Sequence, residues 1–323
     1  MQPAAIAVTV LTGFLGAGKT TLLNYLLNEQ HGLKLAVIEN EFSDAPIDSQ
    51  LLGDAPAKVV TLANGCVCCS INGDLEKAAL DLLERRDSGE LSFDRLVIEC
   101  TGLADPAPVA QSFLSTPVLN ERYRLDGIVT LVDAYNAETH LAQSIAQAQV
   151  GFADLIALSK TDLVTSEQRD AVSARLQRIN RRAPVVVVEH GRVPIGMLLQ
   201  LRGFDIEDAG DAPVLRPLRP ISAPPDRITT LALRSDCPLE AQQLSLFIEG
   251  LLARFGNSLL RYKGVLALKD ESRRLVFQGV LRLYNFDWGR SWQADETPES
   301  VLVFIGDNLP EGEIRQAFAE LTN

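Results

Sequence analysis

The chain has 323 residues and a mass of 35.2 kDa, about twice a typical domain length of ~150 residues, so two domains are expected. With 46% hydrophobic and 22% charged residues it has the composition of an ordinary folded protein, which excludes a disordered or low-complexity chain. The formal net charge is −12, and both sides of a cut at Arg227 are acidic, so binding to a nucleic-acid backbone by counterion release is disfavoured.

No run reaches the roughly 18 apolar residues that a bilayer span needs, and the apolar N-terminus lacks the basic flank of a signal peptide. A cytoplasmic location with no membrane partner is expected. Cysteines number five, and three of them crowd at Cys66, Cys68 and Cys69, which does not suit a secreted disulfide framework.

Seven short apolar runs follow one another with helical patterns between them: from Ile6, Leu35, Lys58, Arg95, Gly127, Leu155 and Pro184. Their hydrophobicity is continuous, the mark of strands buried on both faces of a mostly parallel sheet with helices above and below. Five of the sixteen prolines then fall between Asp205 and Arg227, as in an extended linker. Beyond it come a strand from Ile228, a helix over Leu239 to Arg254, long strand patterns over Leu259 to Leu268 and Arg274 to Asn285, a strand from Ser300 and a helix near Glu311. The expected organisation is an α/β domain over 1–204, a Pro-rich linker over 205–227 and a smaller α+β domain over 228–323. No internal repeat is present.

The first strand runs into GFLGAGKT, which satisfies GxxxxGK[ST] through Gly13, Gly18, Lys19 and Thr20 and is followed by a helical pattern. Glycines let backbone N–H groups approach phosphate oxygens, the helix N-terminus adds its positive end, and Lys19 reaches the β and γ phosphates. Thr20 is expected to ligate magnesium. RLVIECTG supplies a second acid, Glu99, at a strand end, and then Gly102, whose N–H is placed to approach a γ-phosphate. Later, LIALSKTDL puts Ser159, Lys160, Thr161 and Asp162 after another buried strand. Asp162 can accept from guanine N1–H and its amino group, donors that adenine does not present, with the Lys160 stem over the base.

Cys66, Cys68 and Cys69 follow a turn at Asn64 and Gly65, a spacing that brings three thiolates onto one soft or borderline ion. Zinc takes four ligands, and the further donor is a carboxylate from ENEF (Glu39 or Glu41), a histidine or water. Redox chemistry and simple packing are the other readings of the cluster. His31 suits a helix C-terminus, His140 a packed or surface helix position, and His190, after a strand, is the histidine that is a candidate for cofactor binding, with a structural role as its alternative. Cys100 and Cys237 read as small core residues.

GFLGAGKTT, ENEF, NGCVCC, ECTG and SKTD, in this order and spacing, resemble the CobW/HypB/UreG class of P-loop GTPases, and within it the YjiA-like CobW-domain proteins. LLRYKG, LVFQGV and VFIG extend the resemblance into the C-terminal CobW domain, so that it covers nearly the whole chain. It implies GTP hydrolysis coupled to handling zinc, or in some members cobalt or nickel, for a client metalloprotein. By motif it assigns Gly16, Ala17, Gly18, Lys19, Thr20 and Thr21 to the phosphate loop and Glu99 to the Walker-B-like acid. Lys160 and Asp162 become guanine readers, Cys66, Cys68 and Cys69 the metal motif, and Glu39 and Glu41 the switch-like loop. Ser43 replaces the glycine that many relatives carry after ENEF, and Ser159 stands at an Asn or Thr position, which weakens one hydrogen bond and leaves Asp162 in place. There is no histidine-rich stretch, which argues against metal storage.

GTP and magnesium are thus expected to order the loop bearing Glu39 and Glu41 beside CVCC, and hydrolysis to relax it. With no arginine finger or positioning glutamine identified, intrinsic turnover on the order of 10⁻⁴ to 10⁻² per second is expected. A small-molecule phosphotransferase and a thiol redox sensor are the competing readings; SKTD speaks against the first. In the C-terminal domain Arg261, Tyr262, Lys263, Trp288, Arg290 and Trp292 offer either a partner surface or a packed sheet.

Overall fold

The computed structural model describes residues 5–29, 32–40, 58–62, 71–189, 191–199, 201 and 226–321. The chain divides into two compact units, Met1–Ser173 with Ala183–Gly203, and Ala174–Arg182 with Phe204–Asn323. Most of the expected linker lies outside the described residues.

The first unit is built on seven parallel strands: β1 (Ile6–Gly13), β2 (Leu35–Asn40), β3 (Lys58–Leu62), β4 (Arg95–Cys100), β5 (Tyr123–Asp133), β6 (Leu155–Ser159) and β7 (Val185–Val187). Their order across the sheet is β3-β2-β4-β1-β5-β6-β7, all pairs parallel. Every residue of β4 is buried, as the continuous apolar patterns require of a sheet covered on both sides. One face packs on α1 (Lys19–Asn28), whose Leu22, Leu23, Leu26 and Leu27 meet Val37, Val97, Val129, Leu131 and Ala157. The opposite face carries α2 (Ile71–Asp87), α3 (Ala107–Ser115), α4 (Pro117–Arg122), α5 (Ala137–His140) and α6 (Ser144–Phe152) in the crossovers before β6. α7 (Ser166–Ile179) and α8 (Ile195–Leu199) flank β7 in sequence.

β5 starts at Tyr123, four residues before the expected Gly127. Arg124 and Asp126 interrupt the apolar run, yet Asp126 is buried because the Arg95 guanidinium meets it at 2.7 Å and also donates to Thr9 and to the Leu199 carbonyl. β7 is confined to three residues at the sheet edge.

The second unit has a five-stranded antiparallel sheet, ordered β11-β10-β9-β12-β8, from β8 (Ile228–Ser235), β9 (Leu259–Leu266), β10 (Arg273–Val280), β11 (Leu283–Ser291) and β12 (Ser300–Asp307). α9 (Ala241–Phe255) and α10 (Glu311–Leu321) pack Leu244, Ile248, Ile314 and Phe318 with Tyr262, Phe277 and Phe304. The single long strand expected over Arg274 to Asn285 is instead a hairpin that turns at Leu281 (φ 52°), with the Phe277 and Phe286 rings stacked across it at 4.9 Å. Arg261 and Tyr262 are interior, with Tyr262 packed in the core against α9 and α10, so these two follow the packed-sheet reading of the six-residue set rather than the partner-surface one. Trp288 is 41% exposed beneath the Arg273 guanidinium, and Trp292 lies under Arg274. A groove of about 300 Å³ between α9 and α10 is lined chiefly by Leu246, Phe247, Leu251, Phe255 and Ile314. No helix among the described residues is long and apolar enough to cross a membrane.

Candidate functional site

Four side chains share one wall by simple alternation. Successive residues of a strand point to opposite faces, and Glu39, Glu99, Asp133 and Ser159 are in phase with the residues Val37, Val97, Leu131 and Ala157 that pack on α1. They therefore stand on the α1 face at the carboxyl ends of β2, β4, β5 and β6, around the loop that joins β1 to α1. Ligands of open parallel sheets bind at such an end, where the strand order reverses.

The loop itself needs its glycines. Gly13 has φ +140°, and a Cβ there would lie 2.3 Å from the Leu131 carbonyl oxygen; Gly16 and Gly18 also have positive φ. Lys19 Nζ donates to the Gly13 carbonyl at 3.0 Å and reaches that of Phe14 at 3.4 Å, while α1 begins at Lys19 with its first N–H groups toward the loop.

On the acidic side the Thr20 hydroxyl donates to Glu99 Oε1 at 3.2 Å. Glu99 is 9% exposed and is the direct register partner of Glu39, itself 2% exposed, across the β2–β4 pair. A hydroxyl and two carboxylates on one wall are hard oxygen donors, the chemistry magnesium prefers, so Thr20 and Glu99 fit that ion. Cys100 points to the other face; burial pushes its thiol up to about 12, Lys19 opposing and Glu99 and Asp105 adding, so it stays a protonated packing residue. Cys237 is exposed rather than in the core.

The turn after β4 lies on the phosphate loop: a Cβ on Gly102 would come within 2.7 Å of the Leu15 backbone nitrogen. Gln149 of α6, which the sequence did not single out, donates from Nε2 to the carbonyls of Gly102 (3.2 Å) and Ala104 (3.0 Å).

On the base side the Ser159 hydroxyl donates to the Ala17 carbonyl at 2.7 Å, tying the SKTD segment to the phosphate loop. Serine thus makes a bond there rather than forgoing one. Lys160 adopts φ 55° and its ammonium meets Asp133 Oδ2 at 2.8 Å. Asp133, 1% exposed, also accepts from the N–H groups of Tyr135 and Asn136 and from Asn136 Nδ2. Burial pushes its carboxyl up, but the bonds from Lys160 and Asn136 outweigh that and hold it below the usual range. Asp162 is exposed in the short turn Thr161–Leu163. The His140 ring packs against Phe14 of the loop at 4.5 Å, which explains its placement in α5. Gly191 approaches the Thr21 side chain, so the segment flanking His190 reaches the first turn of α1.

Cys66, Cys68, Cys69, Glu41, Ser43, His31 and His190 lie outside the described residues. Among the described residues no group of three or more His, Cys, Asp or Glu side chains is disposed to hold a metal. Asp133 and Gln149 were invisible to motif reading because neither belongs to a fixed spacing; the sole local signal was a buried-strand aspartate in LVDA and a polar residue on an apolar helix.

Residues 7–187 match the CobW/HypB/UreG nucleotide-binding domain, and residues 228–322 match the C-terminal domain of the cobalamin synthesis protein CobW. Over 317 residues the chain is 51% identical to the zinc chaperone YjiA of Escherichia coli, covering 98% of each. It is 30% identical to the zinc chaperone CobW of Pseudomonas aeruginosa, over 96% of this chain and 90% of that one. The crystal structure of Zn(II)-bound YjiA GTPase from E. coli superposes with a TM-score of 0.82 at 45% identity, covering 99% of this chain and 100% of that one.

Proposed function

Because the chain belongs to the CobW/HypB/UreG family, we propose that it is a GTP-hydrolysing zinc chaperone. It couples the nucleotide state of the loop between β1 and α1 to the binding and release of zinc at Cys66, Cys68 and Cys69. The observation that carries the coupling is the register of the β3-β2-β4 edge. Glu99, bonded to Thr20, stands directly beside Glu39, and Glu39 is the register partner of Thr61 in β3. The ENEF segment continues from β2, and Cys66 comes four residues after β3 ends at Leu62. The nucleotide's acid and the two segments of the metal motif therefore leave the sheet as neighbours.

In this reading Lys19 and the first N–H groups of α1 hold the phosphates, and Thr20 and Glu99 would hold magnesium, which would neutralise phosphate charge when bound. Gly102 contacts the γ-phosphate. Asp162 reads guanine and Lys160, steered by Asp133, lies over the base. No arginine of the described phosphate loop supplies transition-state charge, which supports slow turnover by the isolated chain, and a client protein that receives the metal would accelerate it. Cobalt or nickel suits the same thiolates, and zinc is the ion in this reading because the similar proteins YjiA and CobW are zinc chaperones. Thiols bind only after deprotonation to thiolates, so metal affinity rises with pH.

Zinc competition against a chromophoric chelator, run on nucleotide-free, GDP-bound and GTP-analogue-bound protein beside Cys68→Ala, tests the proposal. The expected result is a tight site, lost in the variant and shifted at least several-fold by the analogue relative to GDP. Identical zinc affinity in all three states would refute the coupling, and equal affinity for GTP and ATP would refute the guanine reading.

A further inference from the structure

The turn Thr101–Ala104 is where a γ-phosphate would be sensed, and its geometry is held from behind by one side chain. The Ala104 N–H donates to the Thr101 carbonyl at 3.0 Å, closing the turn. A peptide unit is planar and trans, so a carbonyl held in one direction aims the N–H of the same unit in the other. The Thr101 carbonyl, turned in toward Ala104, aims the Gly102 N–H away from the turn's interior. Gly102 is itself pressed on the backbone of Leu15 in the phosphate loop.

Gln149 holds the remaining two planes. Both hydrogens of its amide nitrogen are used, one on the Gly102 carbonyl and one on that of Ala104. The side chain is 1% exposed, and its Oε1 is buried without a hydrogen-bond donor among the described residues. A buried amide with one end unmet is a costly way to fill space, and a leucine would pack there more cheaply. The helix bearing it is tied down in turn. Thr130 Oγ1 donates to the Gln149 carbonyl at 2.7 Å, and Thr130 is the register partner of Thr12, the last residue before the phosphate loop's Gly13. A closed path of strand β1, strand β5, helix α6 and turn thus leads from one side of the γ-phosphate position to the other.

We infer that Gln149 is a positioning residue for GTP hydrolysis, holding the Thr101–Ala104 turn in the pose that receives the γ-phosphate, so that GTP is distinguished from GDP through it. The inference rests on the GTPase reading above. Gln149 touches neither nucleotide nor metal; it acts through the turn.

The test compares wild type, Gln149→Met, which keeps length and loses both donors, and Gln149→Glu, which sets a carboxylate against two carbonyls. Affinities for GDP and for a non-hydrolysable GTP analogue are measured with single-turnover hydrolysis rates. Loss of two hydrogen bonds predicts a fall of roughly 5- to 100-fold in analogue affinity and in hydrolysis rate for Gln149→Met, larger for Gln149→Glu, with GDP affinity within about twofold. A merely structural role would move GDP and analogue affinity together, and that outcome, or an unchanged ratio, overturns the inference. Hydrogen exchange on the wild-type protein covers the case in which a variant fails to fold. The amides of 101–105 and 144–152 gain protection together in the analogue state over the GDP state, and equal protection in both states overturns the inference. Should wild type itself neither prefer GTP over ATP nor hydrolyse it, the GTPase reading fails instead.

Discussion

Asp133→Asn isolates what steers Lys160. The carboxylate accepts from Lys160 Nζ and Asn136 Nδ2 on one oxygen, both at 2.8 Å, and from two backbone N–H groups on the other. Asparagine keeps the second oxygen's work and replaces the first by an NH₂ facing two donors. Two hydrogen bonds are lost, one of them charge-assisted and worth about 1.5–3 kcal/mol when buried. The Lys160 side chain is 37% exposed, so its ammonium recovers water and the lower end of that range applies. Freed, the lysine must be re-immobilised over the base at a cost of up to ~2 kcal/mol of rotamer entropy. Guanine-nucleotide affinity should therefore fall by about 10- to 30-fold, since 1.4 kcal/mol is a factor of ten. The assay is competition for a fluorescent GDP derivative by GDP and, separately, by inorganic tripolyphosphate, which meets the phosphate loop and not the base side. GDP should weaken while tripolyphosphate holds within about twofold. An equal loss for both ligands would show that Asp133 supports the fold at large, and no loss for either would show that Lys160 needs no steering.

Three further outcomes follow from the same geometry. Ser159→Ala removes the bond to the Ala17 carbonyl and should lower stability by about 1 kcal/mol, a drop of roughly 2–4 °C in Tm by calorimetry; an unchanged Tm would mean the bond is replaced by water. Burial holds the His140 imidazole below its ordinary value of about 6.5, the Asp133 charge opposing and the Lys160 charge adding. The folded protein thus takes up that proton later than the unfolded chain, so stability is full above about pH 6.5 and falls as pH drops below it. His140→Gln should flatten this part of the Tm profile between pH 7.5 and 5.5, and parallel profiles would contradict the assignment. Cys100, its thiol pushed up to about 12, should resist alkylation by iodoacetamide at pH 8 in the folded protein and label fully in urea, read by mass spectrometry; rapid labelling of the native form would place it in a different environment.

What the sequence displays depends on how far apart the cooperating residues are. The seven parallel strands are legible because burial on both faces forces unbroken apolar runs, a local property. The start of β5 is not, since Asp126 is buried only by virtue of Arg95, 31 residues away. The hairpin at Leu281 is hidden for another reason: a leucine with positive φ carries no glycine or asparagine signal, and the Phe277–Phe286 stack that rewards the turn forms across strands. The same division runs through the site. Gly13, Lys19 and Thr20, then Glu99, then Lys160 and Asp162 are each announced by a short local motif, because each set falls within one segment of a few residues. Asp133 meets Lys160 across 27 residues and Gln149 meets Gly102 across 47, so neither leaves a local pattern.

The alternation of the strands gives the proposed coupling its physical content. Glu39 and Glu99 face α1 because β2 and β4 pair in parallel with those two residues in register; a slip of one residue would turn either carboxylate to the opposite face. Two buried carboxylates side by side repel, and a cation held by either lowers the cost of keeping both charged. In the proposed reading, a cation at Glu99 and one held by the segment that continues from Glu39 would therefore influence each other through this register. Linkage makes the dependence mutual: the factor by which GTP changes zinc affinity is the factor by which zinc changes GTP affinity. A chain that binds zinc more tightly with a nucleotide than without it must bind that nucleotide more tightly when zinc is present.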